Sequence, residues 1–349
     1  MTFYRLLSEH GTAQDALAAL PGVARAAGVA DYAPCPEGVI AAELRAARAA
    51  GARLICRGEP GYPAALAALD DAPPMLWSRG DPALLSRPML AMVGARNASS
   101  LGTRTARKLA ADLSEAGFVV VSGLARGVDA AAHAAALPLG TIGVVAGGVD
   151  VIYPSENTDL HHDIAKQGLI LSEQPMGLQP QARHFPARNR IIAGLAQGLV
   201  VVEAAARSGS LITADAALAL GREVLAIPGH PFDARAAGCN RLIRDGATLI
   251  RGAEDVIAVL GDPAQPALPL QAAPPPRPET PPPAPKRTLR QTAALHQLIL
   301  DRLGPSPVAE DQLIRDLSAP ATAVAPVLVD LELDGRITRQ AGGLLARVD

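Results

Sequence analysis

The sequence predicts an α/β protein: a Rossmann-like, doubly wound, mostly parallel sheet flanked by two smaller modules. Three observations carry this. From Met89 onward, short apolar runs recur: MLAMVG (89–94), FVVVSG (118–123), TIGVVAGG (141–148), LILSE (169–173), LVVVE (199–203) and EVLAIPG (223–229). Each is followed by a helical stretch, and runs that are apolar throughout belong to strands buried on both faces, as in a parallel sheet covered by helices. Residues 262–286 then hold 11 prolines, an extended and semi-rigid stretch with no means of burying a core. Finally, 349 residues at 49% hydrophobic content suffice for two or three domains.

In chain order, residues 1–55 are alanine-rich and read as a small helical domain, with helical periodicity in LRAARAAGA (44–52). Leu20-Pro21-Gly22-Val23 resembles the hairpin of SAM-like or helix-hairpin-helix modules, and equally an ordinary helical turn. Residues 56–85 form a transition, with Gly61-Tyr62-Pro63 and Asp71 to Trp77 as extended or turn segments. Trp77, the single tryptophan, is expected in the core. Between the strands, helices are expected at 101–116, 129–137, 156–167, 186–196 and 210–220. A helix at 239–245, a strand ATLI (247–250) and a helix at 253–260 close the run. Beyond the linker, helices at 291–303, 309–317 and 321–333 precede RITRQAGGLLARV, a hairpin around Gly342-Gly343. Three helices and a hairpin make a winged helix. The expected domains are therefore 1–55 (helical, SAM-like), 56–261 (Rossmann-like core), 262–287 (linker) and 288–349 (winged helix).

Composition narrows the function. Net charge is −2, so a nucleic-acid site has to be a local patch. The segment from Lys286 to Asp349 carries eight basic and eight acidic residues, so a protein-contact or accessory role suits it at least as well as reading duplex DNA. Cys35, Cys56 and Cys239 are few and scattered, which fits a reducing compartment. No apolar run approaches the ~18 residues of a membrane span. The opening MTFYRLLSEHGTAQ lacks a basic-then-apolar signal pattern. A soluble cytoplasmic protein is expected.

The stretch His184 to Gly194 stands out. Pro186 reads as the first residue of a helix, where its missing N–H costs nothing. Helix starts favour anions. Arg188 and Arg190 add forked donors suited to phosphate, and Phe185 adds a face on which a base can stack. The same residues also admit a purely structural reading, with Phe185 in the core, Asn189 as a cap and the arginines paired with acids.

Ligands of open parallel sheets bind at the carboxyl ends of the strands. The segments following the strands bring Arg96, Arg126, Arg188, Arg190 and Arg207 to one edge, together with glycines and hydroxyls. A dinucleotide site is disfavoured, because the first loop reads GARNASSLG and no acid ends the second strand. His161-His162 lacks further ligands at metal spacing and reads as surface. His133 reads as a packed or capping group. Ser208 and Ser210 have no evident His/acid partners. No cofactor, metal or catalytic residue is expected.

GARNASSLG (94–102), SGLARGVDAAAH (122–133), FPARNRIIAGL (185–195) and ARSGSLITADAALALGREVLAIPG (206–229) occur in this order and closely resemble the bacterial DNA-processing protein A family. The resemblance spans roughly residues 60–260, and the helical and winged-helix flanks agree with some members. It implies a non-catalytic, homodimeric mediator that binds single-stranded DNA (ssDNA). It also implies loading of the recombinase RecA during natural transformation. By the same resemblance, DNA contacts fall on Arg96, Phe185, Arg188, Asn189 and Arg190, and more loosely on Arg183. Ala95 stands where many members have serine. The alternative is a nucleotide enzyme of the phosphoribohydrolase type, whose PGGxGTxEE loop has paired glutamates. The corresponding loop here, ARSGSLITAD, has no such pair.

Overall fold

In the computed structural model, residues 2–263, 289–304, 307–317, 319–340 and 343–348 are described. They fall into two compact units, residues 37–271 and residues 1–36 with 272–349. All but the first two residues of the expected linker, and Gly342 of the expected hairpin tip, lie outside the described residues.

The larger unit is built on a nine-stranded sheet. Its strands are β1 (Ala52–Cys56), β2 (Met75–Gly80), β3 (Met89–Val93), β4 (Val119–Ser122), β5 (Thr141–Val144), β6 (Leu169–Ser172), β7 (Gly198–Val201), β8 (Glu223–Ala226) and β9 (Thr248–Leu249). They lie in the order β1-β2-β6-β5-β4-β3-β7-β8-β9. From β6 to β9 every pairing is parallel. β2 joins β6 antiparallel and β1 joins β2 antiparallel. The chain builds outward from β3 through β6, then returns to the other side of β3 to lay down β7. The crevice between the ends of β3 and β7 is thus the topological switch point, where such sheets bind ligands.

Each parallel strand sends alternate residues to opposite layers, as period-two geometry demands. Leu90, Met92, Val120, Val200 and Leu225 pack with α5 (Ser100–Glu115), α6 (Val128–Ala136) and α11 (Ala253–Leu260). Ala91, Val93, Val121, Val201 and Ala226 pack with α8 (His184–Leu195), α9 (Gly209–Ala219) and α10 (Ala237–Arg244). Truncating a fully buried residue such as Leu90 to alanine therefore costs about 2–5 kcal/mol.

Several expectations need correction. Residues 1–55 are not all helical. After α3 (Glu37–Ala49) the chain enters β1, whose Leu54 lies opposite Trp77 of β2, and both α3 and β1 belong to the larger unit. Trp77 is buried and its Nε1 donates to Glu43 at 3.2 Å, as its core assignment required. Leu20 to Val23 does not separate two helices but lies inside α2 (Ala13–Ala26), with Pro21 in the helix interior. His161 is not a surface residue. It faces inward from α7 (Thr158–Gln167), is 1% exposed, and among the described residues neither ring nitrogen has a hydrogen-bond partner. Burial and, secondarily, Arg79 hold its pKa down at about 4, so it is neutral. His133 is packed as expected: it is buried, its Nδ1 lies 2.8 Å from Thr141 Oγ1, and burial lowers its pKa to about 3.

In the smaller unit, α12 (Leu289–Arg302), α13 (Glu310–Asp316) and α14 (Ala321–Leu333) surround a core of Ile299, Leu300, Leu313, Val324, Leu328 and Leu331. A short strand, β10 (Val308–Ala309), pairs with β12 (Leu344–Arg347), which pairs with β11 (Ile337–Gln340). The helices and hairpin match the expected winged helix; β10 is an additional strand. α1 (Thr2–His10) and α2 pack with α12, and Arg5 Nη2 donates to Thr292 Oγ1 at 3.1 Å. Among the described residues no helix is long and apolar enough to cross a membrane.

Candidate nucleic-acid interface

The strand-to-helix segments converge at the carboxyl edge of the parallel strands. Two polar side chains tie the β3–α5 and β7–α9 loops together across the switch point. Ser99 donates from both its backbone N–H and its hydroxyl to the Glu203 carboxylate. Ser210 donates from Oγ to the Gly94 carbonyl at 2.8 Å. The same Ser99 hydroxyl accepts from Gly102 N and so caps α5. The neighbouring loop is held as closely. Gly127, at φ +77°, precedes α6 with its backbone against the Ala95 and Arg96 carbonyls, where a Cβ would collide.

α8 begins at His184, two residues earlier than Pro186 suggests, so Pro186 is its third residue. It still lies in the first turn, whose N–H groups have no helical acceptor. His184 Nδ1 accepts from Gln181 N at 3.1 Å at this entry. Phe185 is therefore a first-turn residue, half-buried, with its ring in a cluster. The Arg96 guanidinium carbon is 5.3 Å from the ring centroid and that of Arg188 is 6.0 Å away, both in cation–π range. The Tyr153 ring lies 5.8 Å off, tilted by 55°. Two cavities flank this cluster. One, of about 330 Å³, is lined by Arg96, Arg126, Tyr153, Phe185 and Arg188 among others. The other, of about 710 Å³ and at the switch point, is lined by Arg96, Asn97, Phe185, Asn189, Ser208 and Arg235 among others.

The arginines expected at this edge have different fates. Arg96 is exposed, and Arg207 is exposed on the β7–α9 loop outside both cavity walls. Neither has an acidic partner within 4 Å among the described residues. Arg183 is exposed just before α8, its Nε 3.4 Å from His184 Nε2. Arg126 forms an exposed ion pair with Glu156 at 3.2 Å, an arrangement worth little.

Arg188 is not an open phosphate clamp. It is 6% exposed, and its Nη1 donates to the Gly123 and Val144 carbonyls at the ends of β4 and β5. A Cβ on Gly123 would run into this guanidinium, so glycine there makes the burial possible. Burial lowers the Arg188 pKa to about 10, Asp129 opposing this and Arg96 adding to it, so Arg188 stays cationic at neutral pH. Asp129, buried and held by the Gly123 and Ala125 N–H groups, has its pKa raised by desolvation. Arg188 is thus a buried cation in the walls of both cavities, with Asp129 as its counter-charge.

Arg190 is placed apart from the cluster. It pairs with Glu173 and donates to the Asp71 carbonyl at 2.8 Å, so its charge is neutralised. Asn189 does not cap the helix but lies within it, and its Oδ1 accepts from Arg188 Nε at 3.2 Å. Sequence reasoning missed Tyr153 and Arg235. Both follow parallel strands, β5 and β8, beyond Gly147-Gly148 and His230, the last residues singled out after those two strands. An aromatic in a chain with only 3% aromatics was the available signal for Tyr153.

Comparison with known proteins agrees with this architecture. Residues 53–261 match the family described as DNA recombination-mediator protein A. Residues 271–343 match the DprA winged helix domain, and residues 1–46 match a DprA-like N-terminal HHH domain. DNA processing protein DprA of Streptococcus pneumoniae is 48% identical over 199 residues, 56% of this chain and 70% of that protein. The Bacillus subtilis protein of the same name is 44% identical over 220 residues, 62% of this chain and 74% of that one. The crystal structure of the S. pneumoniae protein superposes with a TM-score of 0.62 at 36% identity, covering 74% of this chain and 98% of that one. DNA processing protein A from Helicobacter pylori, studied for its single-stranded DNA binding mode, gives 0.56 at 32%, covering 60% and 95%. The chain belongs to the DNA recombination-mediator protein A family.

Proposed function

We propose that this chain binds single-stranded DNA along the carboxyl edge of its parallel sheet, as a non-catalytic recombination mediator. In this reading it works in the cytoplasm as a homodimer, protecting incoming single strands during natural transformation and handing them to RecA. The observation that carries it is the Arg96–Phe185–Arg188 cluster, a ring beside two cations in the shared lining of two cavities. Aromatic stacking combined with cationic side chains suits unpaired bases on a phosphate backbone. The ssDNA binding described for the H. pylori relative supports the same assignment. Arg96, Phe185 and Asn189 are the proposed contact residues. Arg188 supplies charge from the cavity walls, Arg126, Arg183 and Arg207 supply peripheral charge, and Arg190 acts as a structural support.

The test is fluorescence anisotropy of the full chain with single-stranded and duplex oligonucleotides of equal length at several salt concentrations. Preferential binding of the single strand, weakening as salt rises, is the expected result. Equal or stronger binding of the duplex would contradict the reading.

A further inference from the structure

Phe232 is 95% exposed, in a chain that otherwise buries or half-buries most of its few aromatic rings. Among the described residues no other large apolar side chain is as exposed, the next being Leu101 at 63%. The loop is well tied. Asn240 brackets Gly229, accepting from its N–H at 3.1 Å and donating to its carbonyl at 3.0 Å. His230 accepts from the Phe232 N–H through Nδ1 at 3.3 Å and from the Asp233 N–H through its carbonyl at 2.9 Å. The two rings of His230 and Phe232 lie 5.5 Å apart, tilted by 42°.

The position of this loop suggests its ligand. It leaves the carboxyl end of β8, next to β7 in the sheet. The helix that follows is joined to the β7–α9 loop, where Gly238 N donates to the Ala204 carbonyl at 2.7 Å. Three residues after Phe232, Arg235 forms part of the wall of the larger cavity, which Phe185 also lines. Asp233, the acid nearest the ring in sequence, is engaged by Arg235 at 3.2 Å. A hydrogen-bonded loop therefore carries an exposed ring three residues from Arg235, whose ion pair with Asp233 lies at the wall of a cavity assigned to ssDNA.

We propose that Phe232 is a second base-stacking platform for single-stranded nucleic acid, extending the path beyond Phe185 with Arg235 between them. The inference rests on the ssDNA reading above and adds a residue and a direction to it. Full-length wild type, Phe232→Ala and Phe232→Trp are compared by anisotropy on labelled oligothymidylates of graded length, with thermal melts alongside. An iodouracil-substituted strand is photocrosslinked in parallel and its attachment sites are mapped by mass spectrometry.

Phe232→Ala is expected to bind long strands about fivefold to a hundredfold more weakly, with an unchanged melting temperature. The deficit should vanish on the shortest strands that bind, Phe232→Trp should restore affinity, and crosslinks should fall on both Phe185 and Phe232. Wild-type affinity of Phe232→Ala at every length, while Phe185→Ala is impaired, would overturn this inference and leave the ssDNA site standing. Loss of self-association in Phe232→Ala with unchanged ssDNA affinity would also overturn it, by assigning the ring to a protein contact. Failure of the wild type to bind ssDNA would remove both readings.

Discussion

Arg339 in the winged helix and Arg96 and Arg207 at the sheet edge are held in opposite ways. In the winged helix, Arg339 of β11 lies between two carboxylates, 2.6 Å from Glu310 and 3.4 Å from Glu332. At the carboxyl edge of the sheet, Arg96 and Arg207 face solvent without an acid within 4 Å among the described residues, and Arg188 is buried beside Asp129. The first arrangement stabilises a fold, and the second is available to a polyanion. Arg190 shows that the same distinction operates within a single helix. It lies two residues from Arg188, yet Glu173 neutralises it.

The largest effect expected on this contrast comes from Arg188→Ala. It would leave Asp129 buried without its compensating cation and two backbone carbonyls without their donor. Breaking such a buried charge arrangement costs about 3–5 kcal/mol, to be read from denaturant midpoints. Next comes Phe185→Ala, where loss of stacking should weaken ssDNA binding by about 1–3 kcal/mol with an unchanged salt slope.

Acid provides a third test. His133 and His161 have folded pKa values of about 3 and about 4, below the ordinary 6.5. The unfolded chain therefore binds more protons than the folded one between these limits. The stability from keeping both rings neutral is complete above about pH 6.5 and is lost as pH falls toward 4, by up to about 1.4 kcal/mol per pH unit for each ring. His161→Leu should flatten this loss, as shown by thermal melts between neutral and mildly acidic pH. The smallest effect is expected of Arg339→Ala. A partly exposed pair should change stability by less than about 1 kcal/mol, and ssDNA affinity should not move.

The contrast also shows what the sequence can carry. The parallel strands were legible because residues buried on both faces read as unbroken apolar runs, as in Val119–Ser122 and Leu169–Ser172. β1 and β2 were not, because Arg53, Ser78 and Arg79 interrupt their apolar pattern at the antiparallel side of the sheet. The convergence of the strand-to-helix segments at one edge of the sheet followed from the strand-end rule alone. The state of each arginine did not, because it depends on contacts between distant segments. Gly123 makes room for Arg188 from another strand, and Glu173 reaches Arg190 from the end of β6. Tyr153 and Arg235 were missed because they stand outside the Gly-rich or Arg-rich segments that marked the other loops, and only the folding of their loops brings them to the cavities.

In the proposed function, unpaired charge at the sheet edge, and not arginine content as such, makes the ssDNA site. The direct measurement is the salt dependence of ssDNA affinity for Arg96→Ala and Arg190→Ala beside wild type. Arg96→Ala is expected to flatten the log–log slope by roughly 0.7, one phosphate contact on a single strand, while Arg190→Ala leaves the slope unchanged. An Arg96→Ala protein with wild-type affinity and slope, or an equal flattening in both variants, would contradict that reading.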